Sequence, residues 1–139
     1  MQLRITDISF QQTKSVRKTM GLVDDEQPSP VDLDLFGHHF GALHDGEVVA
    51  VCSVFMLKYH GRNVAKIRKL AVLTDYQGHG LGKAMIRHVL EYLQHYDIQY
   101  VWSDVTTSAI PFYKKAGLSQ KSSVFSYQNV DYVKMSLIL

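Results

Sequence analysis

The chain has 139 residues, of which 46% are apolar and 20% charged, with a formal net charge of +2 and one cysteine. That length suits one domain over residues 1–139 with a real core, of ordinary globular composition. The charge is too small to argue for nucleic acid, no apolar run nears the roughly twenty residues of a membrane span, and a lone Cys52 excludes an internal disulfide.

Leu3 to Ile8 reads as a short strand. Gln11 to Met20 reads as a helix stopped near Gly21, with Val16 and Met20 facing inward. Val23 to Asp34 carries two prolines and five acids (Asp24, Asp25, Glu26, Asp32, Asp34). It is expected to be a loop whose charge draws a cationic amine. His39–His44 and Glu47–Tyr59 form a hairpin around Asp45-Gly46, a tight-turn pair. The unbroken apolar run from Val48 to Leu57 makes the second arm a central strand. Val64 to Leu73 is the next strand. Leu81, Met85, Val89, Tyr92, Leu93 and Tyr96 then recur at helical spacing, with Lys83, Arg87, Glu91 and Gln94 on another face. Tyr100 to Val105 is a strand. Pro111 opens a short helix that Gly117 ends. Val124–Tyr127 and Tyr132–Ile138 close the chain as a hairpin through Gln128-Asn129. This order implies an α/β chain with a mixed, mostly antiparallel sheet flanked by helices.

Gln77-Gly78-His79-Gly80-Leu81-Gly82 lies between the strand and the long helix. Glycines on alternate positions leave backbone amides uncrowded at a helix N-terminus, where free N–H groups and the dipole favour phosphate. Lys83 adds a cation at the end of the helix where the dipole would prefer an acid. Two nucleotide loops fail the spacing. A P-loop needs glycine where Gln77 stands and Ser or Thr where Ala84 stands, and the dinucleotide fingerprint needs its third glycine at Lys83.

The spacing instead resembles the acetyl-CoA loop of GNAT N-acetyltransferases, written Gln/Arg-x-x-Gly-x-Gly/Ala after an apolar strand, here Leu70-Ala71-Val72. A second motif agrees: Ala109-Ile110-Pro111-Phe112-Tyr113-Lys114-Lys115-Ala116-Gly117-Leu118 is similar to the family's Ala-x-x-Phe-Tyr-x-x-x-Gly-Phe segment, with Leu118 for Phe. The two ends of the chain resemble a small single-domain bacterial branch of that family. The resemblance implies a GNAT-like sheet in which the strands before and after the long helix splay apart around the pantetheine arm of acetyl-CoA. It implies pyrophosphate contacts from Gly78, His79, Gly80, Leu81, Gly82 and Lys83, with Gln77 at the loop entrance. It further implies strand pairing of the cofactor along Leu70, Ala71 and Val72, and cofactor contact near Phe112. Tyr113 matches the tyrosine that donates to the departing CoA sulfur.

Two departures stand out. Thr106 occupies the place, seven residues before the tyrosine, where many relatives carry Asn. The strand before the loop offers Lys66, Arg68 and Lys69 where many relatives carry a carboxylate base. The proton of the amine then leaves through water, Asp104 or a histidine, and the base stays unassigned. His38, His39, His44 and His60 lack metal-ligand spacing, so no metal is expected. Cys52, inside an apolar strand, reads as an inert thiol. The expected activity is acetyl-CoA-dependent N-acetylation of a primary amine on a small molecule or peptide; the alternative is a non-catalytic acyl-CoA-binding or sensing domain. The expected compartment is the cytoplasm, with neither nucleic acid nor membrane as a partner. Exposed strand edges allow a homodimer without requiring one.

Overall fold

The computed structural model describes residues 2–22 and 37–139. The acidic segment at 23–34 lies outside them. The elements are β1 (Arg4–Ile8), α1 (Phe10–Thr19), β2 (Gly37–His44), β3 (Glu47–Tyr59), β4 (Arg62–Val72), α2 (Leu81–Gln94), β5 (Tyr100–Thr106), α3 (Ile110–Lys115), β6 (Ser119–Gln120), β7 (Phe125–Tyr127) and β8 (Val130–Ile138). They build a sheet in the order β1-β2-β3-β4-β5-β8-β6, with β7 paired to β8. β4 and β5 are parallel and every other pair is antiparallel. The mixed, mostly antiparallel sheet expected from the order of elements is present, and β3 is central in its half.

Local chemistry accounts for most boundaries. Asp45 and Gly46 both take left-handed φ (51° and 80°), as do Gln128 and Asn129 (50° and 65°). Two consecutive left-handed residues match the twist of the strands that they join. α1 begins at Phe10, one residue earlier than the periodicity suggests, because Ser9 and Gln12 form a capping box: Ser9 Oγ accepts from the Gln12 amide, and Gln12 Oε1 accepts from the Ser9 amide at 2.8 Å. That exchange satisfies two donors at a helix end.

The sheet buries both faces. Ala50, Cys52 and Val54 of β3 and Ala65 and Ile67 of β4 face one way, into a core with Met85, Ile86, Val89 and Leu93 of α2 and Tyr113 of α3. Val51 and Ala71 face the other way, against Val16 of α1. The alternation along β3 decides which helix each residue meets.

An unpredicted polar contact lies under α1. Arg17 is buried at 1% exposure, and its Nη2 donates to Ser53 Oγ at 2.7 Å and to the Lys69 carbonyl at 3.2 Å. Ser53 Oγ is also 2.6 Å from Nδ1 of the buried His39. Accepting from Arg17, the hydroxyl has its own hydrogen to give to His39. Lys69 belongs to a β-bulge. Val51 pairs with Ala71 and Ser53 with Arg68, so Lys69 and Leu70 together oppose Cys52, and Lys69 has φ 56°. A left-handed non-glycine residue costs on the order of 1–2 kcal/mol. The guanidinium bond to its carbonyl helps to hold that conformation in place.

Arg17→Met keeps the length of the side chain and removes those bonds, leaving a buried carbonyl and hydroxyl short of a donor. Urea unfolding is expected to show a loss of about 2–3 kcal/mol, against less than about 0.5 kcal/mol for an exposed change such as Lys18→Met.

Candidate active site

The parallel ladder between β4 and β5 is short. Val64 pairs with Tyr100, Ala65 with Val101 and Lys66 with Trp102, and the pairing then ends. One further link, from Ser103 Oγ to the Ile67 carbonyl at 2.9 Å, closes the angle between the strands. Beyond it β4 continues to Val72 paired only to β3, while β5 continues to Thr106 paired only to β8. The strands therefore form a fork, and the backbone along one side of each arm has no strand partner.

Past Val72 the chain makes a single 3-10 turn, Thr74–Tyr76, and enters the glycine-rich loop. Gly78 and Gly80 take φ 79° and 80°, which an L side chain would resist. Gly80 is the N-cap of α2 and has no side chain to cap it. The first helical bond is Ala84 N–H to the Gly80 carbonyl at 3.0 Å. The amides of Leu81, Gly82 and Lys83 thus have no acceptor among the described residues, and the loop from Gln77 to Gly80 is exposed. Such an end attracts anions. Lys83 is exposed on the same first turn. The Gln77 side chain is tied back to the strand: its Nε2 donates to the Val72 carbonyl at 2.9 Å and so links the loop to the end of β4.

Gly82 serves packing as well as an open amide. A Cβ there would stand 3.2 Å from the Phe112 ring and 3.9 Å from Val72. Phe112 thereby seats α3 against the first turn of α2. The next residue, Tyr113, is 8% exposed and its phenol has no hydrogen-bond partner among the described residues. Burial, aided by the nearby Cys52, pushes its pKa well above the usual 10, so the phenol keeps its proton at any working pH. Cys52 is fully buried, and burial pushes its thiol up to about 12 despite the charge of Arg17; it is inert. Leu70 and Val72 pack on the α2 side of β4, and Ala71 packs on the α1 side. Thr106 ends β5 with its hydroxyl 3.4 Å from that of Ser108.

At the closed end of the fork a charge cluster surrounds Trp102. Lys66 Nζ is 3.1 Å from Asp104 Oδ2, and Lys134 Nζ is 3.0 Å from Oδ1. The same two ammonium groups stand 4.3 Å and 4.6 Å from the centroid of the Trp102 ring. Burial raises the pKa of Asp104, but the hydrogen bonds and charges of Lys134 and Lys66 outweigh it and leave the carboxyl below its ordinary value. That makes Asp104 a poor proton acceptor. Three of the seven histidines are engaged elsewhere: His38 with Asp7 and Tyr92, His44 with Tyr76, and His39 with Ser53 two strands from the fork. No group of three His, Cys, Asp or Glu among the described residues is placed to hold a metal ion.

A model described as the acetyltransferase (GNAT) family matches residues 7–118. The chain belongs to that family. Membership makes it an acyltransferase, and solved GNAT structures share its fold over essentially the whole length. The NatC complex bound to Gag peptide and CoA superposes with a TM-score of 0.80 at 17% identity, covering 100% of this chain and 99% of that one. Arabidopsis thaliana Naa50, in complex with the bisubstrate analogue CoA-Ac-MVNAL, gives 0.81 at 20% identity, covering 100% of both chains. FeeM, an N-acyl amino acid synthase from uncultured soil microbes, gives 0.82 at 14% identity, covering 99% and 91%. No curated protein sequence matches the chain. As in the expectation drawn from the GNAT motifs, the strands on either side of α2 part company. Sequence reasoning missed Arg17, the Gly82–Phe112 contact and the pair of lysines on Asp104. Only the alternation of Lys66 with buried Ala65 and Ile67 hinted at the last.

A depressed carboxyl pKa contributes stability that is present above the unfolded value and lost as pH falls through the folded one. Asp104→Asn is therefore expected to lower the urea midpoint at neutral pH. The gap from the parent should close as pH drops below the ordinary value of 3.8, read from unfolding midpoints across an acid series.

Proposed function

We propose that the chain, as one domain over residues 1–139, transfers the acetyl group of acetyl-CoA to a primary amine by direct attack on the thioester. The observation that carries this is the fork, whose unpaired β4 edge is joined by one 3-10 turn and the glycine loop to an uncapped helix N-terminus. One arm of the fork offers backbone groups to an extended amide-bearing chain, and the helix offers amides to a pyrophosphate. Acetyl-CoA has those two parts in that order.

In this reading the backbone of Leu70, Ala71 and Val72 pairs with the pantetheine amides as an added strand would. The amides of Gly78, His79, Gly80, Leu81 and Gly82, with Lys83, hold the pyrophosphate. Gln77 acts by fixing the loop on β4. Thr106 and Phe112 line the arm on the β5 side. The amine nitrogen attacks the carbonyl carbon, a β4 amide near the bulge stabilises the oxyanion, and the carbon–sulfur bond breaks. The departing thiolate takes its proton from the Tyr113 phenol, which regains one from water. The proton of the amine leaves to water, since Asp104 is the sole acid or imidazole on β4 and β5 and is held ionised by two lysines. Activity then rises with pH toward the pKa of the acceptor amine.

Calorimetry with acetyl-CoA and release of free thiol with a panel of amines test the reading together. Saturable binding with turnover on at least one amine is expected. Tight binding without turnover on any amine would leave the acyl-CoA sensor instead. Tyr113→Phe is expected to lower kcat by about 10²-fold with little change in acetyl-CoA affinity. An equal loss of both would remove Tyr113 from the chemistry.

A further inference from the structure

The sheet face that α1 covers at Val51 and Ala71 carries an open groove farther along, of about 380 Å³, over the end of β3 and the starts of β4 and β5. Its apolar walls are Leu57, Tyr59, Val64, Tyr100 and Trp102. Leu57 and Tyr59 are 50% and 65% exposed. Among the described residues that line it, three are lysines (Lys58, Lys121 and Lys134) and none is acidic. The volume falls within the range of small-molecule sites.

The groove ends at the fork. Trp102 is both a wall and half of the last paired rung, and Lys134 reaches from the rim to Asp104. There two ammonium groups share one carboxylate, each bonded to a different oxygen, with Lys66, Asp104 and Lys134 at 24%, 30% and 49% exposure. An ammonium carries three donors, so neither lysine is exhausted by its one bond to Asp104. Among the described residues the cluster is one negative charge short, at the junction of an apolar groove and the place where the thioester would lie.

Building on the acetyl-transfer reading, we propose that the acceptor is an α-amino acid with a large apolar side chain and a free carboxylate. The carboxylate sits against Lys66 and Lys134, the side chain lies in the groove on Trp102, and the α-amine, one carbon away from the carboxylate, points into the fork. A peptide N-terminus places an uncharged amide where this acceptor places its carboxylate, and a polyamine places a cation there. Both fit the lysine pair worse.

Trp102 is the only tryptophan of the chain, so its fluorescence reports occupancy of the groove without any need for turnover. The test titrates the full-length protein, with CoA present, with N-acetyl-L-phenylalanine and separately with its primary amide. A saturable change is expected for the acid at a concentration at least about ten-fold lower than for the amide. High salt should narrow that ratio, and so should Lys134→Gln. N-acetylglycine, which lacks the apolar body, should bind more weakly than the phenylalanine derivative. Equal or tighter binding of the amide, or no response to either compound, overturns the proposal. Thiol release with other amines would in that case leave the acetyl-transfer reading standing, whereas failure of acetyl-CoA itself to bind would overturn that reading and the acceptor assignment with it.

Discussion

Everything of consequence in this fold depends on the early end of one strand pair. β4 and β5 share three rungs and the Ser103–Ile67 link, and then diverge. Backbone donors and acceptors without partners are costly when buried and inviting when open. The divergence converts the middle of a sheet, ordinarily its most satisfied region, into two edges facing each other. The rest of the molecule keeps that opening from closing or collapsing. On one side Arg17 and Ser53 pin the bulge at Lys69, so that β4 keeps its own path. On the other, β8 pairs with β5 over its whole length, from Tyr100 to Thr106.

How much of this was legible beforehand depended on the range of the interaction responsible. Turns at Asp45-Gly46 and Gln128-Asn129 were legible because the conformation they need is a property of two adjacent residues. The helix from Leu81 was legible because its buried stripe repeats within a single segment. The site loop could be read as an anion site from glycine spacing alone, and its assignment to acetyl-CoA needed the second motif around Phe112 and Tyr113. By contrast, nothing local marks Arg17 as buried. It looks like one more cation on a helix rich in them, and only the carbonyl of Lys69, fifty-two residues on, gives it a reason to be inside. β6 is two residues long, too short for any alternation to be visible. The divergence of β4 and β5 is a relation between segments separated by a whole helix, and no pattern within either segment encodes it.

The electrostatics divide the site into two halves of different character. Around the glycine loop the positive potential comes mostly from the backbone, fixed in direction by the helix and independent of pH. Around Trp102 it comes from lysine side chains whose charges are partly spent on Asp104. Tyr113 is buried in the core beneath α2, and burial keeps its phenol from ionising. Such a group can stabilise a charge that appears during the reaction without carrying one beforehand, which is the economical arrangement when the charge exists only briefly.

Phe112 and Tyr113 are adjacent on one short helix, yet they touch different parts of the molecule. Phe112 lies against Gly82 on the first turn of α2, and Tyr113 lies in the core beside Cys52. Two consecutive residues on a six-residue helix cannot move independently. α3 therefore links the first turn of α2 to the core beside Cys52. A Cβ added at position 82 would press on the Phe112 ring at 3.2 Å, so the ring or the helix that carries it would have to give by a few tenths of an ångström. The fit of one glycine against one ring thus reaches, through the helix, to the buried phenol next along it.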